Sequence, residues 1–308
     1  MRAPRFVYCN ASLAFGDHIF PVRKYEGVRN QLLAAGRITE ADIVMPDVPL
    51  TRAQIERVHT GEYLDRLLQY ANTTPEFAVA ELEVPCYPET LHAVELAAAG
   101  TLAAARTAVE TGTFGYHIGG GFHHAFANHG EGFCIINDIA VAIRLLLDEG
   151  TIERALVVDV DVHQGNGTAV IFKNEPLVTT FSIHNQAIYP SKVRSDLDIG
   201  VAPFTDDAGY LAALDPAIAQ LIVTADPRPQ LMVYVAGADP FAEDQLGGLR
   251  LTKAGLRERD RRVLIACRDA GIPVAVVLAG GYARRTSDVV DIHCATAEVC
   301  LDLWPAAG

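Results

Sequence analysis

Short runs of β-branched and aliphatic residues alternate with longer amphipathic stretches along the second half of the chain. Four of these runs have the pattern of buried strands, at 155–160, 177–183, 230–237 and 274–280. Helical patterns lie between and after them, at 166–174, 207–224, 252–270 and 284–303. Continuous apolar strands that alternate with helices are typical of a parallel sheet covered on both faces.

The first half of the chain is mainly helical in pattern. One strand is predicted at 5–9, and helical segments are predicted at 22–36, 51–71 (as two short helices), 90–112 and 137–150. Thr51, together with Asn137 or Asp138, supplies N-caps, and Gly36 and Gly150 supply stops. A chain of 308 residues has room for one or two domains, but no linker rich in Gly, Ser or Pro divides it. We therefore predict one α/β domain over residues 1–308, a three-layer α/β/α arrangement around a mostly parallel sheet.

Polar side chains follow each of the four strand-like runs in the second half. They are Asp159, Asp161 and His163 after the first run, Ser182 and His184 at the second, Asp239 after the third and Tyr282 after the fourth. Ligands of parallel α/β sheets bind outside the carboxyl ends of the strands. A solvated loop with a helix-capping Asp would explain one such carboxylate. Charges gathered at the end of a buried strand are costly unless something there binds them, so the set predicts a site.

Asp161, His163 and Asp239 form the best set of metal ligands in this group. Two carboxylates and one imidazole, with a fourth position left to water, match the open coordination of a catalytic zinc. The alternative for Asp239 is a helix cap or turn, since it lies in the turn-forming sequence "GADP".

The segment "GGGFHHA" at 119–125 places two adjacent histidines after three glycines. A loop made flexible by glycine lets both His123 and His124 reach one cavity, and imidazoles titrate near neutral pH. They therefore suit an acid–base pair. Tyr282, after two glycines, is placed to donate a hydrogen bond to an oxyanion, although packing is the alternative. His117, His129 and His184 are expected to be structural.

Composition narrows the classes of protein. The net charge of −13 argues against direct nucleic-acid binding but is compatible with a cationic amine or peptide as substrate. No apolar run reaches membrane-spanning length and the N-terminal residues lack a signal sequence, so a cytoplasmic protein with no membrane partner is expected. The six cysteines form no C-x-x-C pair, and the glycine-rich stretches match no nucleotide-binding motif.

Taken together, these motifs resemble the zinc-dependent histone deacetylases of the arginase/deacetylase fold. The matching segments are "GGGFHHA", "GEGFCIINDIAVAI", "VVDVDVHQGNGTA", "VYVAGADPFAEDQLGGLRLT" and "AGGYARR", which occur in the family's order. "HQGNG", "DQLGGL" and "GGYARRT" are most similar to the class IV branch of that family.

The resemblance implies a role for each matching residue. Zinc would be bound by Asp161, His163 and Asp239. The reactive water would be flanked by His123 and His124, and the acyl carbonyl polarised by Tyr282. Asp159 would support His123. Asn166 stands where many relatives have a second carboxylate, and an amide orients a neutral imidazole without adding charge. His124 is therefore expected to be a neutral base.

The resemblance also implies a substrate channel and a second cation. Phe133 and Tyr189 would form its aromatic walls, and Gly132 would let substrate pass close to the backbone. The family often holds a structural potassium ion near the zinc. The matching groups here are Asp159, Asp161, His163, Ser182 and Ile183.

The implied activity is zinc-assisted removal of an acyl group, acetyl or longer, from Nε-acyl-lysine in proteins or peptides. An amidohydrolase of the same fold that acts on acetylpolyamines or other small acylated amines is the nearest alternative. A dimanganese arginase-type enzyme would need further carboxylates beyond "DVHQG" and "GADP". A non-catalytic scaffold would be expected to have lost part of the set. The length of the acyl group stays open at this level.

Overall fold

The computed structural model describes residues 5–10 and 13–305, and its framework is one parallel sheet. The strands lie in the order β2-β1-β3-β8-β7-β4-β5-β6. They are β1 (Phe6–Val7), β2 (Ile43–Val44), β3 (Phe114–His117), β4 (Ala155–Asp159), β5 (Val178–Asn185), β6 (Leu197–Val201), β7 (Leu231–Val235) and β8 (Val274–Val277). Every pairing between them is parallel.

Ten α-helices accompany these strands within the described residues. They are α1 (Lys24–Ala34), α2 (Arg52–Ile55), α3 (Gly61–Thr73), α4 (Val79–Leu82), α5 (Pro88–Thr111), α6 (Asp138–Asp148), α7 (Asn166–Phe172), α8 (Asp207–Ile218), α9 (Lys253–Ala270) and α10 (Thr286–Leu303). A π-helical turn, Ala219–Val223, extends α8. Short 3-10 turns lie at Glu40–Asp42 and Pro75–Ala78.

Two hydrophobic cores lie on opposite faces of the sheet. Val157 of β4 packs into the core shared with α3, α5 and α6, whereas the next residue, Val158, packs into the core shared with α1, α8, α9 and α10. Neighbouring strand residues point to opposite faces, so a strand covered on both faces is apolar at every position. This explains the continuous apolar runs and confirms the predicted three-layer α/β architecture.

The predicted elements agree with the structure, but the pattern analysis missed three strands and the short helix α4. Residues 51–71 contain two helices as predicted, with the Thr51 side chain accepting a hydrogen bond from the Gln54 N–H. Asn137 caps α6 by accepting from Ala140. The missed strands are β2, β3 and β6. β2 has only two residues, β3 contains a glycine, and β6 alternates between half-buried and exposed positions at the sheet edge before its last residue is buried.

Strand order brings four carboxyl ends together at one edge of the sheet. Asp159 at the end of β4 pairs with Ser182 on one side and with Val235 on the other. Val235 in turn pairs with Val277 of β8. The segments that follow β4, β7 and β8 therefore start side by side, which is the condition for a shared site.

The structure also shows the state of the cysteines and whether any helix could cross a membrane. All six cysteines are free thiols. Among the residues that the structure describes, every helix is too short or too polar to cross a bilayer.

Gly115 in β3 is required where the strand meets α5. A Cβ built at this position would lie 2.0 Å from the carbonyl oxygen of Ala104, far inside contact distance. We expect Gly115→Ala to lower the free energy of unfolding by about 1–3 kcal/mol, because overpacking forces the backbone to shift. Urea denaturation measures the change.

Gly61, the first residue of α3, supplies the matched control. A Cβ added there would have only flexible side-chain ends nearby, at 3.4 and 3.5 Å. Gly61→Ala should leave stability unchanged or raise it slightly, because alanine restricts the unfolded chain. Equal stability of the Gly115→Ala variant and the unmodified protein would contradict the close approach.

Candidate active site

A cavity of about 290 Å³ opens at the carboxyl edge of the sheet. Its lining comes from several separate segments: Glu83, His124, Gly132, Phe133, His163, Ile188, Tyr189, Leu246 and Tyr282. A larger cavity of about 410 Å³ is lined by Arg154, Ala155 and Leu177, near the opposite, amino-terminal ends of β4 and β5. The chemistry described below belongs to the smaller cavity.

Asp161, His163 and Asp239 lie close together, and His163 lines this cavity. All three are buried, and one ligand atom from each lies within 4.8 Å of the others. Nδ1 of His163 is 3.1 Å from Oδ1 of Asp161 and 3.3 Å from Oδ2 of Asp239. The first two residues follow β4 and the third follows β7, so the neighbouring strand ends bring together residues far apart in sequence.

The surrounding backbone leaves one carboxylate oxygen in this group unsatisfied. The Gly280 N–H donates to Oδ2 of Asp161 at 2.8 Å, and the Val162 N–H donates to Oδ1 of Asp239 at 2.9 Å. Oδ2 of Asp239 is buried and accepts no well-aligned hydrogen bond within the described part of the chain, although Nδ1 of His163 lies 3.3 Å away. A buried oxygen without a partner is costly. The three residues therefore fit a divalent cation, and two carboxylates with one imidazole are a donor set that suits zinc.

The charges of the site also fit a bound cation. Burial lowers the pKa of His163, but the carboxylates of Asp161 and Asp239 outweigh it and raise this pKa to about 10. Burial and the charge of Asp161 raise the pKa of Asp239. The imidazole thus holds a proton tightly between two carboxylates. A metal ion competes for the same ligand atoms, so its binding should release protons.

The two adjacent histidines lie beside this group with different partners. Nδ1 of His123 is 2.6 Å from Oδ2 of Asp159, and Nδ1 of His124 is 2.7 Å from Oδ1 of Asn166. The imidazole rings are 4.1 Å apart between centroids, and both are buried. The structure therefore brings Asp159 to His123 and Asn166 to His124.

The two imidazoles differ in pKa because their electrostatic environments differ. Burial lowers the pKa of His123, but Asp159 and Asp161 outweigh it and raise this pKa to about 9. Burial and the charges of His123 and His163 hold the pKa of His124 well below its usual value. At neutral pH these shifts favour a protonated His123 beside a neutral His124.

Asp138, the first residue of α6, fixes the glycine loop that carries the histidine pair. Its carboxylate accepts hydrogen bonds from the N–H groups of Gly121, at 2.9 Å, and Phe122, at 2.7 Å. Gly120 has a φ of +67°, and a Cβ there would meet Oδ2 of Asp138 at 2.5 Å. The loop needs glycine at this position both for its conformation and for the close approach.

Tyr282 presents a protonated phenol to the same cavity. Burial, together with the charges of Asp239 and Asp161, raises its pKa well above the usual value. Its backbone N–H donates to Asp244 at 2.6 Å, and its ring centroid lies 6.4 Å from that of His163. A phenol that keeps its proton is a hydrogen-bond donor.

Phe133 and Tyr189 both line the cavity, as the channel hypothesis requires. Phe133 has a φ of +68°, which is uncommon for a residue other than glycine. The Tyr189 ring lies 5.2 Å from that of His124 and is 42 % exposed. Gly132 separates these groups, and a Cβ there would lie 2.5 Å from Cδ2 of His124.

The residues suggested for a potassium ion lie along the paired ends of β4 and β5. Asp159 and Ser182 are opposite each other in the register, and Ile183 is buried beside them. The Ser182 hydroxyl is 2.9 Å from Nδ1 of His184.

Three polar residues around the site were not predicted from the sequence. The Asn166 amide donates to Oε1 of Glu131 at 2.5 Å. Arg259 donates to the carbonyls of Val160, at 3.2 Å, and Gly237, at 2.8 Å. Nζ of Lys24 donates to the Ala279 carbonyl at 2.5 Å. Glu131 lies inside the motif "GEGF", so its place in that motif could have indicated that it lies near the site. Lys24 and Arg259 are fully buried on helices, where lysine and arginine are usually exposed.

Known proteins share both the sequence and the fold of this chain. The family model of the histone deacetylase domain matches residues 18–297. An uncharacterized protein of Picosynechococcus is 39% identical over 94% of both chains. Histone deacetylase 2 of Arabidopsis thaliana is 31% identical, over 89% of this chain and 72% of that protein. The crystal structure of the HDA15 HD domain superposes with a TM-score of 0.80 at 23% identity, covering 96% of this chain and 90% of that one. The chain therefore belongs to the histone deacetylase family and has its α/β fold.

Proposed function

We propose that this protein is a zinc-dependent amidohydrolase that removes an acyl group from Nε-acyl-lysine in proteins or peptides. The observation that carries the proposal is the clustering of three potential metal-ligand side chains, two imidazoles and a tyrosine beside one cavity, which His124, His163 and Tyr282 line. Residues 1–308 would act as one catalytic domain of the class IV type, on the motifs "HQGNG", "DQLGGL" and "GGYARRT".

Zinc would be held by Asp161, His163 and Asp239. When bound, it lowers the pKa of water and polarises the acyl carbonyl. A structural potassium ion would be held by the ends of β4 and β5, through Asp159, Asp161, His163, Ser182 and Ile183.

The side chains around the metal ligands transfer protons, stabilise the oxyanion and bind the substrate. His124 is neutral and has its Nδ1 engaged by Asn166, so its Nε2 accepts the proton of the attacking water. His123, held by Asp159, has the raised pKa and returns a proton to the leaving amine. The Tyr282 phenol donates a hydrogen bond to the oxyanion as negative charge develops. Phe133 and Tyr189 pack along the aliphatic part of the lysine.

A small acylated amine such as an acetylpolyamine is the second candidate substrate. Glu83 lines the cavity, and its carboxylate accepts a hydrogen bond from the Gly132 N–H. Together with the net charge of −13, this acidic rim would attract a cationic amine.

Parallel turnover assays separate the two substrates. Zinc-loaded protein would be given acyl-lysine peptides of increasing acyl length and acetylated polyamines, with a metal-chelating hydroxamate as inhibitor. Hydroxamate-sensitive turnover with a higher kcat/KM on the peptides supports the proposal. A higher kcat/KM on the polyamines would replace it with the second candidate, and turnover of neither would end both.

Replacing Tyr282 by Phe tests the oxyanion assignment. We expect Tyr282→Phe to bind zinc normally and to lose a factor of about 10²–10³ in kcat, because an oxyanion donor is removed. Steady-state kinetics and elemental analysis measure the two effects. Tyr70→Phe is the control, because this phenol bonds to Glu81 on α4. Full activity of Tyr282→Phe would contradict the assignment.

The buried oxygen without a hydrogen bond makes Asp239→Asn a sharp test of the metal ligands. An amide retains an oxygen for the Val162 N–H but places an NH₂ group where the free carboxylate oxygen lies. Since a direct ligand is lost, zinc affinity should fall by more than the roughly 10–100-fold typical of outer-shell changes. The metal-free variant should remain folded, because a buried charge has been removed. Competition with a chromogenic chelator measures affinity, and circular dichroism measures folding. Zinc affinity equal to that of the unmodified protein would rule out Asp239 as a ligand.

A further inference from the structure

We propose that Glu131 is a positioning residue for the catalytic base: through the amide of Asn166, its carboxylate supplies His124 with the negative charge that the direct partner lacks. The inference rests on the proposed function, because it assigns His124 as the base. It adds a third member to what the sequence showed as a histidine–asparagine pair.

A continuous chain of hydrogen bonds links the three side chains. Nδ1 of His124 is 2.7 Å from Oδ1 of Asn166, and Nδ2 of Asn166 is 2.5 Å from Oε1 of Glu131. His124 and Asn166 are buried, whereas Glu131 is half-buried. The chain therefore runs from the partly solvated rim of the cavity to the imidazole at its floor.

The chemistry of the three groups fixes which one donates and which one accepts in each of these hydrogen bonds. An ionised carboxylate only accepts hydrogen bonds, so Asn166 must turn its NH₂ toward Glu131 and its oxygen toward His124. The Gly167 N–H also donates to that oxygen, at 3.0 Å, and supports the same orientation. An amide oxygen cannot donate, so Nδ1 of His124 carries the hydrogen. The lone pair of Nε2 is then free to accept a proton.

The carboxylate matters most when His124 accepts that proton. The imidazole becomes a cation, and its Nδ1–H donates to an amide whose far end is bonded to an anion. Hydrogen bonds to charged groups are stronger than neutral ones, and linked bonds polarise each other. His123 has its carboxylate in direct contact, whereas His124 has its carboxylate one amide away.

The backbone around Glu131 holds the carboxylate in place. The Cys134 N–H donates to the Glu131 carbonyl at 2.9 Å and closes a tight turn. The two residues within that turn, Gly132 and Phe133, both have positive φ and border the cavity. Burial and the negative charge of Glu131 raise the pKa of the Tyr189 phenol, which lines the cavity. The carboxylate therefore lies near a wall of the channel as well as near the base.

Two substitutions at position 131 distinguish the effect of the negative charge from that of the hydrogen bond to Asn166. Glu131→Gln keeps an oxygen that can accept from Asn166 but removes the charge, and Glu131→Ala removes both. We expect kcat on an acyl-lysine peptide to fall about 10-fold for the first and up to about 100-fold for the second, the range found for outer-shell partners. KM should stay within about twofold and zinc content should stay stoichiometric. A kcat within about twofold of wild type for both variants would overturn the proposal.

Glu175→Gln is the matched control for loss of a half-buried carboxylate. Glu175 pairs with Arg144 at 2.8 Å and precedes β5, at the opposite edge of the sheet. This variant should keep wild-type kcat, so a loss specific to position 131 supports the proposal. An equal loss in both variants would overturn it, because general destabilisation would then explain the effect.

A double substitution tests the link through Asn166. Asn166→Asp alone places two carboxylates in contact, and kcat should fall because the hydrogen bond between them is lost. In Asn166→Asp combined with Glu131→Gln, the new amide at 131 can donate to the new carboxylate at 166. We expect the double variant to exceed the Asn166→Asp variant in kcat by about 10-fold. No recovery would overturn the relay.

An observation independent of substrate keeps the failure of this inference distinct from failure of the proposed function. In ¹⁵N-edited NMR spectra of zinc-loaded protein, the Nδ1 proton of His124, assigned by its loss in His124→Gln, should be strongly downfield. It should move upfield in Glu131→Gln and stay in place in Glu175→Gln. This shift without turnover of acyl-lysine would support the relay and reject the proposed function. Turnover without the shift would do the opposite.

Discussion

Burial of negative charge at one edge of a parallel sheet is the constraint on which the site depends. Asp159, Asp161 and Asp239 are almost completely enclosed, and burial alone penalises each of their charges. Backbone N–H groups and imidazoles offset part of this penalty. The remainder calls for a cation, so metal binding and stability of the folded chain should be coupled.

Arg259 shows how the rest of the fold supports that edge. Its guanidinium donates to the carbonyls of Val160 and Gly237, each close in sequence to an aspartate proposed as a metal ligand. It is fully buried and paired with Asp260, which also accepts hydrogen bonds from Tyr234 and Thr296. One buried ion pair therefore ties α9 and α10 to the segments that leave β4 and β7. Those segments carry the proposed metal ligands, so packing of α9 and α10 helps to set the distance between them.

The fold and the central residues could be predicted because they depend on local pattern. Apolar runs marked the strands of the sheet interior, and the residues that follow those runs are the ones that meet at its edge. The strands that escaped prediction are two residues long, contain glycine or lie at an edge, where one-sided burial weakens the signal. The charge near His124 also escaped, because Asn166 and Glu131 are 35 positions apart. In the sequence, Asn166 indicated that His124 has no carboxylate partner. The tertiary contact shows that the Glu131 carboxylate lies next to that asparagine. Lys24 illustrates the same limit: a lysine at a helix start predicts solvent, yet it is fully buried against Ala279.

Gly132 has a consequence for how such an enzyme can change its preferences. Any side chain there would press on the ring of His124 and on the Tyr189 hydroxyl, which lie 2.5 and 2.8 Å from where a Cβ would be. Narrowing the entrance at this point would also tilt His124, the proposed base, so a change in selectivity here should change the rate as well. Divergence toward new substrates is therefore easier at Ile188 and Leu246, which border the cavity from other segments.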